Sequence, residues 1–266
     1  MPKVTTRPKI SPETIAIKTS FFIKFYIGWQ TIPSEVIDCQ EKSIVLTWVV
    51  MEIIYLGHAA FLLRHKSVKV VCDPFDKQVG FSSAKVEADI VVSSHDHHDH
   101  NELSVVGGEP MVIKGPGEYE IKGVSITGVT SFHDDKQGSL RGKNTIYTID
   151  IDELRLCHLG DLGHKLEEKH LNLMDGIDVL MVPVGGFYTI GPEKAMEVIK
   201  QVGPSIVIPM HYKTKEHNQK MFGKLATVDE FVKVSNMEAR REKKLVVKKL
   251  DLPEEMELVV LERYGR

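Results

Sequence analysis

The chain has 266 residues, of which 42% are hydrophobic and 27% charged, and its formal net charge is −3. It lacks both the basic excess typical of nucleic-acid binding and the acidic excess of a disordered tail. Three widely spaced cysteines, Cys39, Cys72 and Cys157, argue against a disulfide scaffold and for a reducing compartment. We expect a cytoplasmic protein, because the longest apolar run, 44–56, is shorter than a membrane span and no secretory leader is evident.

The first 50 residues differ from the rest of the chain. They contain four prolines, show no period of 2 or 3.6, and carry six basic and four acidic residues, which leaves a net charge of −5 for 51–266. A strand-like segment, 52–56, directly follows Met51. We therefore predict an N-terminal extension over 1–50 that lies outside the core, and one domain over 51–266.

Short apolar or β-branched runs bounded by Gly, Pro, Asn and Asp predict strands along most of this domain. In chain order the runs are 52–56, 60–64, 67–72, 89–92, 111–113, 124–129, 145–149, 154–159, 179–184, 205–209, 245–247 and 256–261. Two segments predict helices instead: 192–202 has helical spacing and ends at Gly203, and 227–234 begins with a Thr N-cap. Strands first, and strand–helix–strand later, indicate an α/β protein with two sheets and helices outside.

Metal-binding residue types are concentrated in the stretch SSHDHHDH at 93–100. It follows a predicted buried strand and contains the pattern H-x-H-x-D-H, made by His95, His97, Asp99 and His100. On an extended backbone His95 and His97 point the same way and could hold one ion. Asp99 and His100 could hold a second ion after the chain turns. Imidazole and carboxylate ligands suit Zn²⁺.

Three further candidate ligands stand after predicted strands: His133, Asp161 and His211. Each strand would deliver one side chain to the edge of a sheet, where folds of this kind place their sites. Taken singly, a histidine after a strand is more often structural. Three such residues, together with H-x-H-x-D-H, favour a metal centre.

The order of these motifs resembles the metallo-β-lactamase superfamily over about residues 51–263. More narrowly, four segments are similar to the branch of metal-dependent hydrolases related to ascorbate-6-phosphate lactonase. They are LGHAAF at 56–61, GPGEYE at 115–120, PVGGFYT at 183–189 and IPMHY at 208–212. The resemblance implies a four-layer αββα sandwich with a dinuclear site on one edge.

The resemblance also implies a ligand set. One divalent ion is assigned to His95, His97 and His133, and a second to Asp99, His100 and His211, with Asp161 bridging. Zn²⁺ is the expected metal and Mn²⁺ the alternative. Two ions about 3.5–4 Å apart would lower the pKa of a water between them toward 7, and the hydroxide would attack a carbonyl or phosphorus. Asp99 is the expected catalytic residue, which would orient this hydroxide and take its proton.

Other residues near these motifs receive separate interpretations. Candidates for supporting a ligand or contacting substrate are His58, His164 and Tyr188. Alternation along the chain turns two histidines away from the ligands, His98 and His158. Solvent exposure is expected for the remaining three, His65, His170 and His217.

The leading hypothesis is a metal-dependent hydrolase that acts on a lactone, ester or phosphoester of a small metabolite. A phosphodiesterase or nuclease of the same fold is an alternative. It would need a basic groove, which the net charge of −5 over residues 51–266 disfavours. A di-iron oxygen-reducing protein is disfavoured because that relative places a carboxylate where His97 stands. A non-catalytic metal-binding protein stays open. We expect no membrane or nucleic-acid partner, and leave a homo-oligomer open.

Overall fold

The computed structural model describes residues 50–265. The predicted extension therefore lies, up to residue 49, outside the described residues. The first sheet has six strands, in the spatial order β15 (Leu245–Val247), β1 (Met51–Gly57), β2 (Ala60–His65), β3 (Val68–Cys72), β5 (Ile90–Ser93) and β7 (Met111–Lys114). The second has eight, in the order β14 (Ala239–Glu242), β16 (Glu257–Leu261), β13 (Ile206–Met210), β12 (Val179–Pro183), β11 (Leu154–His158), β10 (Lys143–Ile151), β9 (Val124–Phe132) and β8 (Gly117–Ile121). A small ribbon pairs β4 (Val86–Glu87) with β6 (Val106–Gly107).

Four α-helices accompany the sheets: α1 (Glu168–Leu171), α2 (Pro192–Val202), α3 (Gln219–Phe222) and α4 (Val228–Ser235). Helix α2 has the predicted bounds, with proline at its start and Gly203 at its end in the left-handed region. Helix α4 begins after Thr227, whose side chain accepts a hydrogen bond from the Glu230 backbone N–H. No helix within residues 50–265 is long and apolar enough to cross a membrane.

The main core lies between the two sheets. Alternate side chains of the first sheet, such as Ile53 and Phe61, are buried in one cluster with Leu156 and Met181 of the second sheet. The predicted mixed α/β fold built on two sheets is thus confirmed. Helices α2 and α4 pack against each other beside the second sheet.

The outer face of the first sheet has a thinner cover than the resemblance implies. Ile54 and Leu62 point to this face, where they belong to a second apolar cluster with Phe75 and Val106. Within the described residues, α3 is the only α-helix that contributes a fully buried side chain, Phe222, to this cluster. Loops and the β4–β6 ribbon supply the rest of the layer.

The strand directions bring the predicted ligands to one edge. Strands β3 and β5 are parallel, as are β11, β12 and β13, and β9 shares the direction of β11 because both are antiparallel to β10. The carboxyl ends of these strands therefore lie together. The sheets are joined there, since Thr145 donates a backbone hydrogen bond to Ser94 at 2.8 Å and the Tyr147 hydroxyl donates to the Ser93 carbonyl at 3.1 Å.

Candidate metal centre

The histidine-rich loop follows β5 as bends and a turn, not as the extended backbone assumed from the sequence. His95 and His97 still face the same side, with Nε2 of His95 3.0 Å from Nδ1 of His97. The backbone N–H of His100 donates to the His97 carbonyl and closes the turn. His98 points elsewhere, with Nδ1 3.3 Å from Oδ1 of Asp76 and 41% of its side chain exposed.

The structure brings together all seven residues for which the sequence predicts a ligand role. Their donor atoms form three overlapping groups, each with its atoms within 4.8 Å of one another. The groups are His95, His97 and His133; His58, Asp99, His100 and His211; and His95, His100 and Asp161. His58 is an additional member, because the sequence indicated only a supporting or substrate-contacting role for it.

Asp161 lies between the groups. Its Oδ1 is 3.3 Å from Nε2 of His100, and its Oδ2 is 3.0 Å from Nε2 of His133 and 3.2 Å from Nε2 of His211. Two ligands at about 2.0 Å from a tetrahedral ion lie about 3.3 Å apart, so these separations suit atoms that share an ion. Three of the facing atoms are buried and make no hydrogen bond in the described chain: Nε2 of His100, Nε2 of His211 and Oδ1 of Asp161. Because orphaned buried polar atoms are costly, this donor set fits divalent cations.

The charges of the centre are coupled. Burial alone would raise the pKa of Asp161, but the facing imidazoles of His100, His211 and His133 hold that pKa well below its ordinary value. Burial opposes the charge on His100 and His133, yet the Asp161 carboxylate raises the pKa of both. Burial lowers the pKa of His95. The carboxylate is therefore ready to ligate, and a metal at His100 and His133 would compete with protons.

Asp73, which the sequence analysis did not single out, supports two of the histidines. It is fully buried after β3, and its Oδ2 accepts a hydrogen bond from Nδ1 of His100 at 2.8 Å. It also accepts hydrogen bonds from the backbone N–H and hydroxyl of Ser94, whose Oγ is 2.9 Å from Nδ1 of His95. These contacts leave Nε2 of both rings facing the centre. A carboxylate shortly after a buried strand was the available signal, as it was for Asp161.

His158 packs beneath the turn that carries Asp161, as predicted for a residue facing away from the ligands. Its Nε2 donates to the Ala59 carbonyl at 2.8 Å, and its Nδ1 accepts from the Gly160 N–H at 3.1 Å. Oδ1 of Asn144 accepts from the Asp161 N–H at 3.0 Å. Gly160 has φ +54°, and a Cβ there would lie 2.3 Å from this Asn144 oxygen, so the turn requires glycine.

Three histidines expected at the surface are buried, and that expectation was wrong. His65 lies 3.2 Å from an Asp152 oxygen, and His170 bonds to the Thr130 carbonyl at 3.0 Å. His217 lies beside His58, with its Nε2 3.3 Å from Nδ1 of His58. Burial lowers the pKa of His58 to about 4 and that of His217 to about 2, so both are neutral.

The remaining two candidates behave differently. His164 turns to the backbone: its Nε2 accepts from the Phe132 N–H at 3.1 Å and its Nδ1 donates to the Lys165 carbonyl at 2.6 Å. Tyr188 borders the centre, where its carbonyl accepts from Nδ1 of His133 at 3.1 Å. The Tyr188 hydroxyl donates to the Met221 carbonyl at 2.9 Å, which fixes the ring as a wall.

Two cavities give access to the donors. One of about 520 Å³ reaches His97, Asp99, His133, Asp161 and His211, and its far wall contains Leu140, Tyr188 and Phe222. Another of about 570 Å³ lies beside His95 and His97, and its rim contains Lys114, Arg141 and Lys143. Arg141 borders both.

A family model described as a β-lactamase superfamily domain matches residues 52–211, more than half of the chain. The chain belongs to the metallo-β-lactamase superfamily. A metal-dependent hydrolase from Archaeoglobus fulgidus is 30% identical over an alignment of 195 residues, and the match covers 62% of this chain and 84% of the relative. These comparisons do not specifically show the narrower likeness to ascorbate-6-phosphate lactonase.

Solved structures agree with the family assignment. The crystal structure of a candidate Zn-dependent hydrolase of this superfamily from Thermotoga maritima matches with a TM-score of 0.66 and 39% identity, covering 80% of this chain and 98% of that one. A metallo hydrolase from Ignicoccus hospitalis matches with a TM-score of 0.58 and 19% identity, covering 75% of this chain and 99% of that one. The second likeness shows the fold alone.

Proposed function

We propose that this protein is a hydrolase that uses two divalent ions, Zn²⁺ or Mn²⁺, to cleave a lactone, ester or phosphoester of a small anionic metabolite. The observation that carries the proposal is the position of Asp161 between two sets of three ligands. One set is His95, His97 and His133; the other is Asp99, His100 and His211, whose group His58 also joins. The naming of the Archaeoglobus relative as a metal-dependent hydrolase supports it.

The bound ions and Asp99 would have different roles in the reaction. When bound, the two ions would lower the pKa of a water and polarise the bond to be cleaved. Asp99 lines the cavity of about 520 Å³, with 13% of its side chain exposed. Burial alone would raise the pKa of Asp99, but His100 and His58 hold it below its ordinary value, so the carboxylate is ionised at neutral pH. It is therefore suited to orient a nucleophilic water and to pass its proton on.

The walls of the cavities support a small anionic substrate. Lys143 makes no ion pair with any residue in 50–265, and Lys114 has only Asp96, at 3.7 Å. Together with Arg141 they would attract a carboxylate or phosphate near His97. Leu140 and Tyr188 offer an apolar surface to the uncharged part of the substrate. The charge of −5 over 51–266 disfavours a long nucleic acid.

The test is a screen of the purified, Zn²⁺- or Mn²⁺-saturated full chain against lactones, carboxylic esters, phosphomonoesters and phosphodiesters. We expect turnover of at least one anionic substrate, and its loss in Asp161→Asn, which keeps the shape but removes the charge between the ions. Full metal occupancy without any turnover would refute the hydrolase and favour a metal-binding protein. Cleavage of nucleic acid in preference to every small substrate would favour the nuclease.

A further inference from the structure

We propose that His58 is a positioning residue for Asp99 and not a metal ligand. Thr214 and His217 fix the His58 tautomer that has its proton on Nε2, and this tautomer donates to Asp99. The positioning role rests on the proposed function, which places a metal ion beside Asp99 and gives Asp99 its part in catalysis, whereas the tautomers do not depend on it. Four residues from three loops form one line of hydrogen bonds from Thr214 to the centre.

The Thr214 end of the line determines which atom donates and which accepts in each hydrogen bond. The backbone N–H of Thr214 can only donate, and it lies 3.0 Å from Nδ1 of His217, with the Thr214 hydroxyl 2.9 Å from the same nitrogen. Nδ1 of His217 is therefore an acceptor without a proton. A neutral imidazole has one donor and one acceptor nitrogen, so the proton of His217 is on Nε2.

The same argument applies to the next ring. Nε2 of His217 lies 3.3 Å from Nδ1 of His58 and donates to it, which places the His58 proton on Nε2. That nitrogen lies 3.2 Å from Oδ2 of Asp99 and donates to the carboxylate. To bind an ion through Nε2, the ring would have to move this proton to Nδ1, where it would face the N–H of His217 donor to donor. His58 therefore stays outside the ligand set, although one of its ring nitrogens lies within 4.8 Å of donor atoms of Asp99, His100 and His211.

The surroundings of the two rings favour their neutral forms. The His58 ring is fully buried, with its centroid 4.9 Å from that of Phe222 and 6.5 Å from that of Phe75. The His217 ring lies 5.0 Å from Phe81 and 5.4 Å from Phe222. The His58 ring also contacts the rings of His211, at 4.1 Å, and His100, at 5.2 Å. Burial of both rings preserves a fixed sequence of donors and acceptors, because it limits competition from solvent. The result is a carboxylate of Asp99 held in one orientation toward the cavity.

Nuclear magnetic resonance tests the tautomers directly and needs no substrate. In the ¹⁵N-labelled, Zn²⁺-saturated full chain, long-range ¹H–¹⁵N correlations should show a proton on Nε2 and a bare Nδ1 for both His58 and His217. The single variants His58→Gln and His217→Gln assign the two sets of signals. A proton on Nδ1 of His58, or a zinc-bound Nε2, would overturn the inference whether or not the protein is a hydrolase. Correct tautomers in an inactive protein would refute the proposed function alone.

Matched variants test the positioning role. In His217→Gln the amide can accept from Thr214 and donate to His58, whereas His217→Phe fills the space and breaks the line. We expect both variants to keep the wild-type zinc stoichiometry, and His217→Phe to lower kcat roughly 10-fold with KM unchanged. Restoration of kcat in His217→Gln would support positioning, and equal losses in the two variants would contradict it. Loss of one zinc equivalent in His58→Gln, with the fold intact by circular dichroism, would show that His58 is a ligand.

Discussion

Asp134 organises the turn that carries two cavity residues, and its replacement gives the sharpest test of how the site is built. Its Oδ1 accepts hydrogen bonds from the backbone N–H groups of Lys136 and Gly138, at 2.8 and 2.9 Å. Its Oδ2 accepts from those of Leu140 and Arg141, at 2.9 and 2.7 Å. One carboxylate thus satisfies four donors, and the turn holds Leu140 and Arg141 against the cavity.

The change Asp134→Asn keeps one acceptor oxygen and places an amide NH₂ where the other stood. Two backbone N–H groups then face this NH₂ group and lose their acceptor. Each lost hydrogen bond costs roughly 1–2 kcal/mol beside solvent, so the free energy of unfolding should fall by about 2–4 kcal/mol. Denaturant unfolding of the full chain measures this loss. Hydrogen exchange of the Leu140 and Arg141 amides should show whether it is local. The neighbouring exposed change Asp135→Asn is the control and should stay within about 0.5 kcal/mol of wild type.

The Asp134 carboxylate should also make the free energy of unfolding depend on pH. Burial alone would raise the pKa of Asp134, but the four backbone donors, led by Arg141, lower it from 3.8 to about 2. Because the folded pKa lies below the unfolded one, the stabilisation is complete above the unfolded pKa and is lost as pH falls through the folded pKa. The difference between wild type and Asp134→Asn should therefore shrink as pH falls from about 4 to about 2. Equal unfolding free energies at pH 7, or a difference that does not change with pH, would refute this reasoning.

Four further predictions test the metal centre and the domain boundary. Elemental analysis of the zinc-saturated chain should find two ions per chain, and His133→Ala should weaken one site more than the other; one ion or fewer contradicts the dinuclear proposal. His97→Ala should remove most activity and much metal affinity, whereas His98→Ala should do neither, as metal content and turnover on the same preparations will show. Calorimetric zinc affinity should fall as pH falls, because the raised pKa of His133 lets protons compete with metal; a flat profile would contradict this. A chain truncated to begin at Met51 should bind zinc and unfold cooperatively, and an insoluble product would show that 1–50 completes the core.

The strands that position the centre could be predicted because each is a buried run with a clear end. The run 154–159 matches β11 and 205–209 matches β13, and a candidate ligand follows each within three residues. Strands β8 and β14 were not predicted, since both are edge strands that carry charged side chains. An edge strand has one hydrogen-bonded neighbour and buries little apolar surface, so its sequence shows a weak hydrophobic pattern.

Contacts between distant parts of the chain could not be predicted in the same way. His58 and His217 are 159 residues apart, and nothing local to His217 distinguishes it from an exposed histidine. Asp73 acts on His100 across 27 residues, through the parallel pairing of β3 and β5 that only the fold establishes. The sequence predicts His97 beside His95 from the alternation of an extended backbone, and the two rings do lie together, but the backbone at 94–97 is bent rather than extended.

The three carboxylates of the centre differ in what satisfies them, and this difference decides what each can do. Asp73 accepts hydrogen bonds from Ser94 and His100, so the protein itself compensates its buried charge. Asp99 has one oxygen occupied by the His58 contact and borders the cavity. Asp161 is fully buried, and its Oδ1 receives no hydrogen bond from the described chain. A buried anion without enough hydrogen-bond donors needs neighbouring cations. Two divalent ions would therefore stabilise the charge of Asp161 more than that of Asp73 or Asp99, which fits the bridging role expected for Asp161.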